Sequence, residues 1–281
     1  MLERLKATLQ SPPDWLSRLP LALLNATVRR WGLRITQGQN YGPQTYAKLD
    51  IYRPARPGAL PVVIFFYGGS WRTGRRQDYK FLAAPLARAG HVVVVADYRL
   101  YPKVQYPNFL SDCAQATAWT LTHLAEIGGD PARVYLMGHS AGAYNAAMLA
   151  LNQAYLRAAG ADPSQLAGMI GLAGPYDFLP IKNPDVIPVF ASAPDDPASM
   201  PIAYARAGAP RLLLLHGAPD TLVKPRNSQA LADQMTAAGG AASVKIYPDT
   251  GHIAMVLAMA PLFSSRAPVR QDIEAFIRAV A

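Results

Sequence analysis

Residues 133–142 read RVYLMGHSAG. A short strand-forming run, Arg133 to Met137, passes directly into Gly138-His139-Ser140-Ala141-Gly142, and a helical stretch starts at once. A G-x-S-x-G between a strand and a helix forces a sharp turn, with small residues on both sides because the backbone is crowded there. The turn lifts the Ser140 hydroxyl above a sheet and points a helix N-terminus at it. The plainer alternative makes Ser140 an ordinary turn residue. Context decides between the two.

That context is a chain of alternating strands and helices. Thr45 to Tyr52 alternates polar and apolar, as a half-buried strand does. Pro61 to Tyr67, His91 to Asp97, Ala167 to Ala173, Arg211 to Leu215 and Ser243 to Tyr247 are further strands. Helical stretches are expected at about 78–89, 107–127 and 269–280. Continuous apolar strands separated by helices predict an α/β fold, a mostly parallel central sheet with helices on both faces. Residues 1–281 are expected to form one domain. Two segments fall outside the alternation, 1–40 and 175–210. Ligands bind outside the carboxyl ends of such strands, so both segments are candidates to cover that edge.

Composition narrows the function classes. Of 281 residues, 51% are apolar and 16% charged, enough to bury a large core. The net charge of +9 raises the question of nucleic acid or an anionic membrane. The basic residues are scattered, however, with Arg29-Arg30 and Arg75-Arg76 the tightest groups, so no nucleic-acid partner is expected. The single cysteine, Cys113, excludes an intramolecular disulfide and reads as a small buried side chain. The N-terminus lacks the pattern of a signal peptide, and no integral membrane span is expected. A cytoplasmic location is the default expectation. A homodimer is compatible with the sequence. No metal or cofactor motif occurs, so none is expected.

A serine hydroxyl needs a base. Of five histidines, His252 is the best placed: it follows the last strand, in Asp249-Thr250-Gly251-His252, at another carboxyl end. His216 ends the strand RLLLL and reads as structural. The base needs an orienting carboxylate, and Asp220 in Leu215-His216-Gly217-Ala218-Pro219-Asp220 supplies it. Strand-end position puts Asp220 ahead of Asp249 and Asp177. The order Ser, Asp, His is the one this kind of sheet uses. Gly68-Gly69, where the strand IFFY stops, would let the backbone approach a substrate closely. N–H groups of the stretch Gly68, Gly69 and Ser70, together with that of Ala141, would hold the oxyanion of a tetrahedral intermediate. Tyr67, Trp71 and His139 flank these groups and are assigned to the substrate pocket, although the His139 side chain should point away from that of Ser140.

With these residues in view, the chain from about residue 40 onward resembles the α/β-hydrolase fold. More narrowly it is similar to carboxylesterases related to hormone-sensitive lipase and to kynurenine formamidase. The carriers are Tyr67-Gly68-Gly69-Ser70-Trp71, Asp97-Tyr98-Arg99-Leu100, Tyr106-Pro107 to Asp112, GHSAG at 138–142, HGAPD at 216–220 and Gly251-His252. The resemblance implies Ser140 as nucleophile, Asp220 as acid and His252 as base, with Asp97-Tyr98-Arg99 beneath the site in a structural role. Tyr67 stands where these families usually carry histidine, a supporting position. Ser70-Trp71 fits the formamidase-like branch better.

The expected activity is serine-dependent hydrolysis of small carboxylic esters through an acyl-enzyme, with short acyl chains preferred over long lipids. An arylformamidase is the rival enzyme. A hydrolase-like scaffold that only binds a ligand is the rival outside enzymes, and it would have no need of a triad.

Overall fold

Interior strands rich in Val, Ile and Leu have nowhere to go but the middle of a sheet covered on both faces. In the computed structural model, which describes residues 21, 24–26, 28, 31–56 and 58–279, that sheet has eight strands. They are β1 Leu33–Asn40, β2 Lys48–Pro54, β3 Leu60–Phe66, β4 Val92–Ala96, β5 Gly129–His139, β6 Leu166–Leu172, β7 Arg211–Gly217 and β8 Ala242–Tyr247. Their order is β1-β2-β4-β3-β5-β6-β7-β8. The pairs β1/β2 and β2/β4 are antiparallel, and every pair from β4 to β8 is parallel. All of Val62 to Phe66 and of Val92 to Ala96 is fully buried.

The helices are α1 Lys80–Arg88, α2 Asn108–Thr122, α3 Leu124–Ile127, α4 Ala141–Leu151, α5 Gln153–Ala158, α6 Arg226–Ala237, α7 His252–Leu257 and α8 Val269–Arg278. α1 packs on β2 and β4, α4 on β5 and β6, and α6 on β7 and β8. Burial of α4 is complete along its length, as its small, apolar sequence requires.

The structure amends the sequence reading in four places. Residues 33–40 form an edge strand and do not cover the site; the LRITQGQN pattern is half-exposed throughout, which hides a strand from an apolar-run search. The expected helix over 107–127 breaks at His123, which leaves helical geometry at φ −105° and ψ 18° and whose ring Nδ1 also bonds the Trp119 carbonyl at 2.7 Å. The expected helix from 78 begins as a 3-10 turn, Arg76–Tyr79, before α1. His252 opens a short helix where a loop is expected. The expected segment 175–210 is irregular, with 3-10 turns at Ile187–Phe190, Pro197–Ser199 and Pro201–Tyr204. Expectations for residues 1–20 lie outside the described residues.

Parallel register places the site. Phe66 pairs with Gly138, His139 with Leu172, and Gly217 with Tyr247, so β3, β5, β7 and β8 end at one edge. Gly68-Gly69, Ser140, Asp220 and His252 all follow those ends.

Candidate active site

The turn after β5 is the sharpest feature of the edge. Ser140 has φ 54° and ψ −123°, a conformation rare for any residue with a side chain. Hydrogen bonds hold it there. Its N–H donates to the Leu172 carbonyl at 2.9 Å, and its own carbonyl accepts from Ala143 at 2.9 Å and Tyr144 at 3.1 Å. The flanking glycines are compulsory. A Cβ on Gly138 would lie 2.1 Å from the Gly142 carbonyl oxygen, and one on Gly142 2.0 Å from that of Phe66. Close approach of backbone, and not flexibility, explains both.

β7 and β8 deliver the other two groups. The Ala218 N–H donates to the Tyr247 carbonyl at 2.8 Å, which ties the loop after β7 to the loop after β8. Asp220 is then held by the N–H groups of Leu222 at 3.0 Å and Val223 at 2.9 Å, both on Oδ1. Its Oδ2 accepts from His252 Nδ1 at 2.7 Å. The Ser140 hydroxyl donates to His252 Nε2 at 2.9 Å. These partners fix the tautomer: Nδ1 carries the proton and Nε2 is free to accept one. Asp249 is exposed, and Asp177 faces Arg226 at 3.9 Å. Neither rival carboxylate meets His252.

The glycine pair lies directly against this relay. A Cβ on Gly68 would be 3.0 Å from the Ser140 Cβ. Gly69, at φ 123°, turns the chain, and its carbonyl accepts from Arg72 at 2.9 Å and Thr73 at 3.1 Å. Ser70 and Trp71 follow at φ 51° and 56°. Two grooves meet here. The smaller, about 260 Å³, is lined by Gly68, Gly69, His139, His252, Ile253 and Val256 among others. The larger, about 440 Å³, is lined by Ala141, Trp71, Phe178, Ile181 and Val186 among others. Ser70, Ser140 and Leu222 border both. Ala141 is the first residue of α4, so its N–H has no partner inside the helix.

With the geometry in place, comparison with known proteins gives the lineage. The BD-FAE family profile matches residues 49–235. The chain belongs to the BD-FAE family. This BD-FAE chain is 31% identical over 83% of its length to a probable isoprenylcysteine alpha-carbonyl methylesterase of Oryza sativa subsp. japonica, spanning 60% of that protein. It is 32% identical over 62% of its length to a kynurenine formamidase of Salmo salar, again spanning 60% of it. The chain thus spans about three-fifths of the length of these relatives. Among solved structures, esterase B from Lactobacillus Rhamnosis (HN001) superposes with a TM-score of 0.79 at 19% identity, covering 99% of this chain and 94% of that one. The fold is therefore the α/β-hydrolase fold, as the sequence predicts.

The supporting residues of the BD-FAE site are partly what the sequence led us to expect. His139 lines the smaller groove together with Ser140 and His252. Its Nε2 donates to the His252 carbonyl at 3.1 Å, and its ring lies 4.9 Å from the His252 ring. Burial, then the nearby His252 charge, push its pKa down to about 3, so it stays neutral. Tyr67 is not a pocket residue, contrary to expectation. Its ring is stacked between Tyr79 and Tyr98, at 5.7 and 4.7 Å, and its hydroxyl donates to Asp97 Oδ1 at 3.2 Å. Trp71 is chiefly core: only 2% exposed, it donates its indole N–H to Asn145 at 2.9 Å and shows the groove one edge. Asp97 and Arg99 do lie in structural ion pairs, Asp97 with Arg76 and Arg99 with Asp112. Cys113 is buried, as predicted, and burial pushes its thiol up.

His216 has a larger part than the sequence suggests. It is fully buried beside the relay. Its Nε2 donates to the Val223 carbonyl at 2.9 Å and lies 3.3 Å from Asp220 Oδ2, while Nδ1 accepts from the Ser228 hydroxyl at 2.8 Å. Burial lowers its pKa and keeps it neutral. The signal was present as H-G-x-x-D, which puts His216 four residues before Asp220. Leu222 and the residues after Asp220 had no signal as groove walls. Among the described residues, no group of three or more His, Cys, Asp or Glu side chains is arranged to hold a metal ion, and no helix is long and apolar enough to cross a membrane.

Proposed function

We propose that the protein is a carboxylic ester hydrolase in which Ser140 is the nucleophile, His252 the base and Asp220 its orienting acid. One observation carries the reading: the unbroken hydrogen-bond relay from the Ser140 hydroxyl through His252 to Asp220, set on an elbow that only glycine neighbours permit. A relay of this kind gives a weak nucleophile a base within reach.

The steps follow from the atoms. His252 Nε2 takes the hydroxyl proton as Ser140 Oγ attacks the ester carbonyl carbon. The carbonyl oxygen becomes an oxyanion, met by the N–H groups of Gly69, Ser70 and Ala141, whose backbone positions are set before the charge appears. Asp220 stabilises the resulting imidazolium and holds its tautomer. His252 then hands the proton to the alkoxide as the carbonyl–alkoxide bond breaks. The acyl group remains on Ser140 Oγ until water, deprotonated by His252, releases the acid. His139 and His216 act by position: one braces the His252 backbone, the other the loop that carries Asp220. The segment Pro175 to Val186 that lines the larger groove is short, which supports short acyl chains over long lipids.

Replacing Ser140 with alanine should lower turnover of 4-nitrophenyl acetate on the order of a million-fold if the three groups act as a unit. Residual activity within tenfold of the parent would reject the proposal. Arylformamide hydrolysis is the second reading, favoured by the similarity to a kynurenine formamidase. Turnover of N-formylkynurenine well above that of simple esters would make it the better description.

A further inference from the structure

We propose that the acyl half of the ester carries a carboxylate, bound at the cationic rim of the larger groove; this rests on the ester-hydrolase reading. The position of His252 fixes which half lies where. His252 must give its proton to the leaving oxygen, so the alcohol departs on the side of the imidazole. His252 and His139 line the smaller groove and not the larger. The alcohol therefore occupies the smaller groove, and the acyl chain the larger.

The two grooves differ in charge. Among the described residues, the larger has an apolar floor, with Trp71, Phe178, Ile181 and Val186, and three cations on its wall, Lys182, Lys224 and Arg226, with no carboxylate lining it. Arg226 has a partner, Asp177, at 3.9 Å. Lys182 and Lys224 are exposed and make no ion pair among the described residues. Among the described residues, the smaller groove has no cation on its wall, and its one acid, Asp78, is paired with Arg75 at 2.9 Å. An acyl chain with an apolar stem and a terminal carboxylate matches the larger groove from floor to rim. Like-signed walls raise the local concentration of the oppositely charged substrate. The distal carboxylate takes no part in bond making: the Ser140 Oγ–acyl bond forms, the acyl–alkoxide bond breaks, and the carboxylate only positions the chain.

Two esters with one leaving group and one chain length test this: 4-nitrophenyl valerate and mono(4-nitrophenyl) glutarate. The measured quantity is the ratio of kcat/KM, glutarate over valerate, after correction for spontaneous hydrolysis. The proposal expects a ratio above one that falls with added salt. Lys182→Met and Lys224→Met should each lower it about threefold, and the double variant about tenfold, as exposed ion pairs of ordinary strength require. Both lysines are exposed, so neither substitution endangers folding. A ratio below one, or a ratio that neither salt nor the double variant changes, overturns the proposal while leaving the hydrolase reading intact. Absence of turnover with both esters refutes the hydrolase reading, and this proposal with it.

Discussion

Replacing His216 with phenylalanine tests whether the second imidazole at Asp220 matters. Phenylalanine keeps the ring and removes both nitrogens. Two groups then lose their partners, the part-buried Val223 carbonyl at 2.9 Å and the buried Ser228 hydroxyl at 2.8 Å. Ser228 is fully buried, so water cannot take over there. The orphaned Ser228 hydroxyl costs about 1–3 kcal/mol and the part-buried carbonyl less, up to about 1 kcal/mol, which sets the expected loss of stability at about 1–4 kcal/mol. Asp220 itself keeps its bonds to Leu222, Val223 and His252. The relay therefore survives with a looser loop, and kcat should fall about tenfold with KM little changed. Urea unfolding gives the stability and steady-state hydrolysis of 4-nitrophenyl butyrate gives kcat and KM. Adding Ser228→Ala separates the two contributions. In the His216→Phe background it removes an already orphaned hydroxyl, so it should cost about 1 kcal/mol less than it does in the parent. A His216→Phe protein within about 0.5 kcal/mol of the parent, with unchanged kcat, would refute the assignment.

Asp220→Asn should preserve the fold and lower kcat on the order of ten-thousand-fold, because the amide favours the wrong His252 tautomer; near-normal kinetics would move the acid elsewhere. Tyr67→Phe removes a single buried hydroxyl bonded to Asp97, so stability should drop about 1 kcal/mol and activity stay within tenfold; complete inactivity would return Tyr67 to the site. Acid should destabilise the protein below neutrality. His91 is buried, and its pKa is lowered from 6.5 to about 4, chiefly by burial, while that of His139 is lowered to about 3. The unfolded chain binds these protons first, so stability present above about pH 6.5 is lost as pH falls toward 4, about 3 kcal/mol from His91 alone. His91→Leu should flatten that decline in urea unfolding between pH 7 and 4; an identical slope would refute the contribution.

What could be read in the sequence follows from which interactions are local. The elbow was legible because its signal, two glycines flanking Ser140, lies within five residues: Gly138 is crowded by Gly142 itself, although Gly142 is crowded by the Phe66 carbonyl of the neighbouring strand. Asp220 and His252 were legible because strand ends in a parallel sheet share an edge, and each follows a strand of continuous apolar character. β1 was not, since an edge strand with one solvated side and a register irregularity between Thr36 and Gln39 lacks the alternation that marks a half-buried strand. Tyr67 was misplaced for a different reason. Adjacency to Gly68 suggested the groove, but residues alternate sides along a strand, and its hydroxyl is claimed by Asp97, thirty residues away in sequence. The charge of the larger groove was hidden as well, because Lys182 comes from one loop and Lys224 and Arg226 from around the start of α6, which only the fold brings together.

The central claim is that Ser140 is a nucleophile activated by His252 and Asp220. Covalent labelling with a fluorophosphonate, read by intact mass and peptide mapping, tests it most directly. One adduct per chain is expected, on the peptide that contains Ser140, formed far more slowly in His252→Ala and not at all in Ser140→Ala. An unlabelled parent protein, or a label that persists in Ser140→Ala, would contradict it.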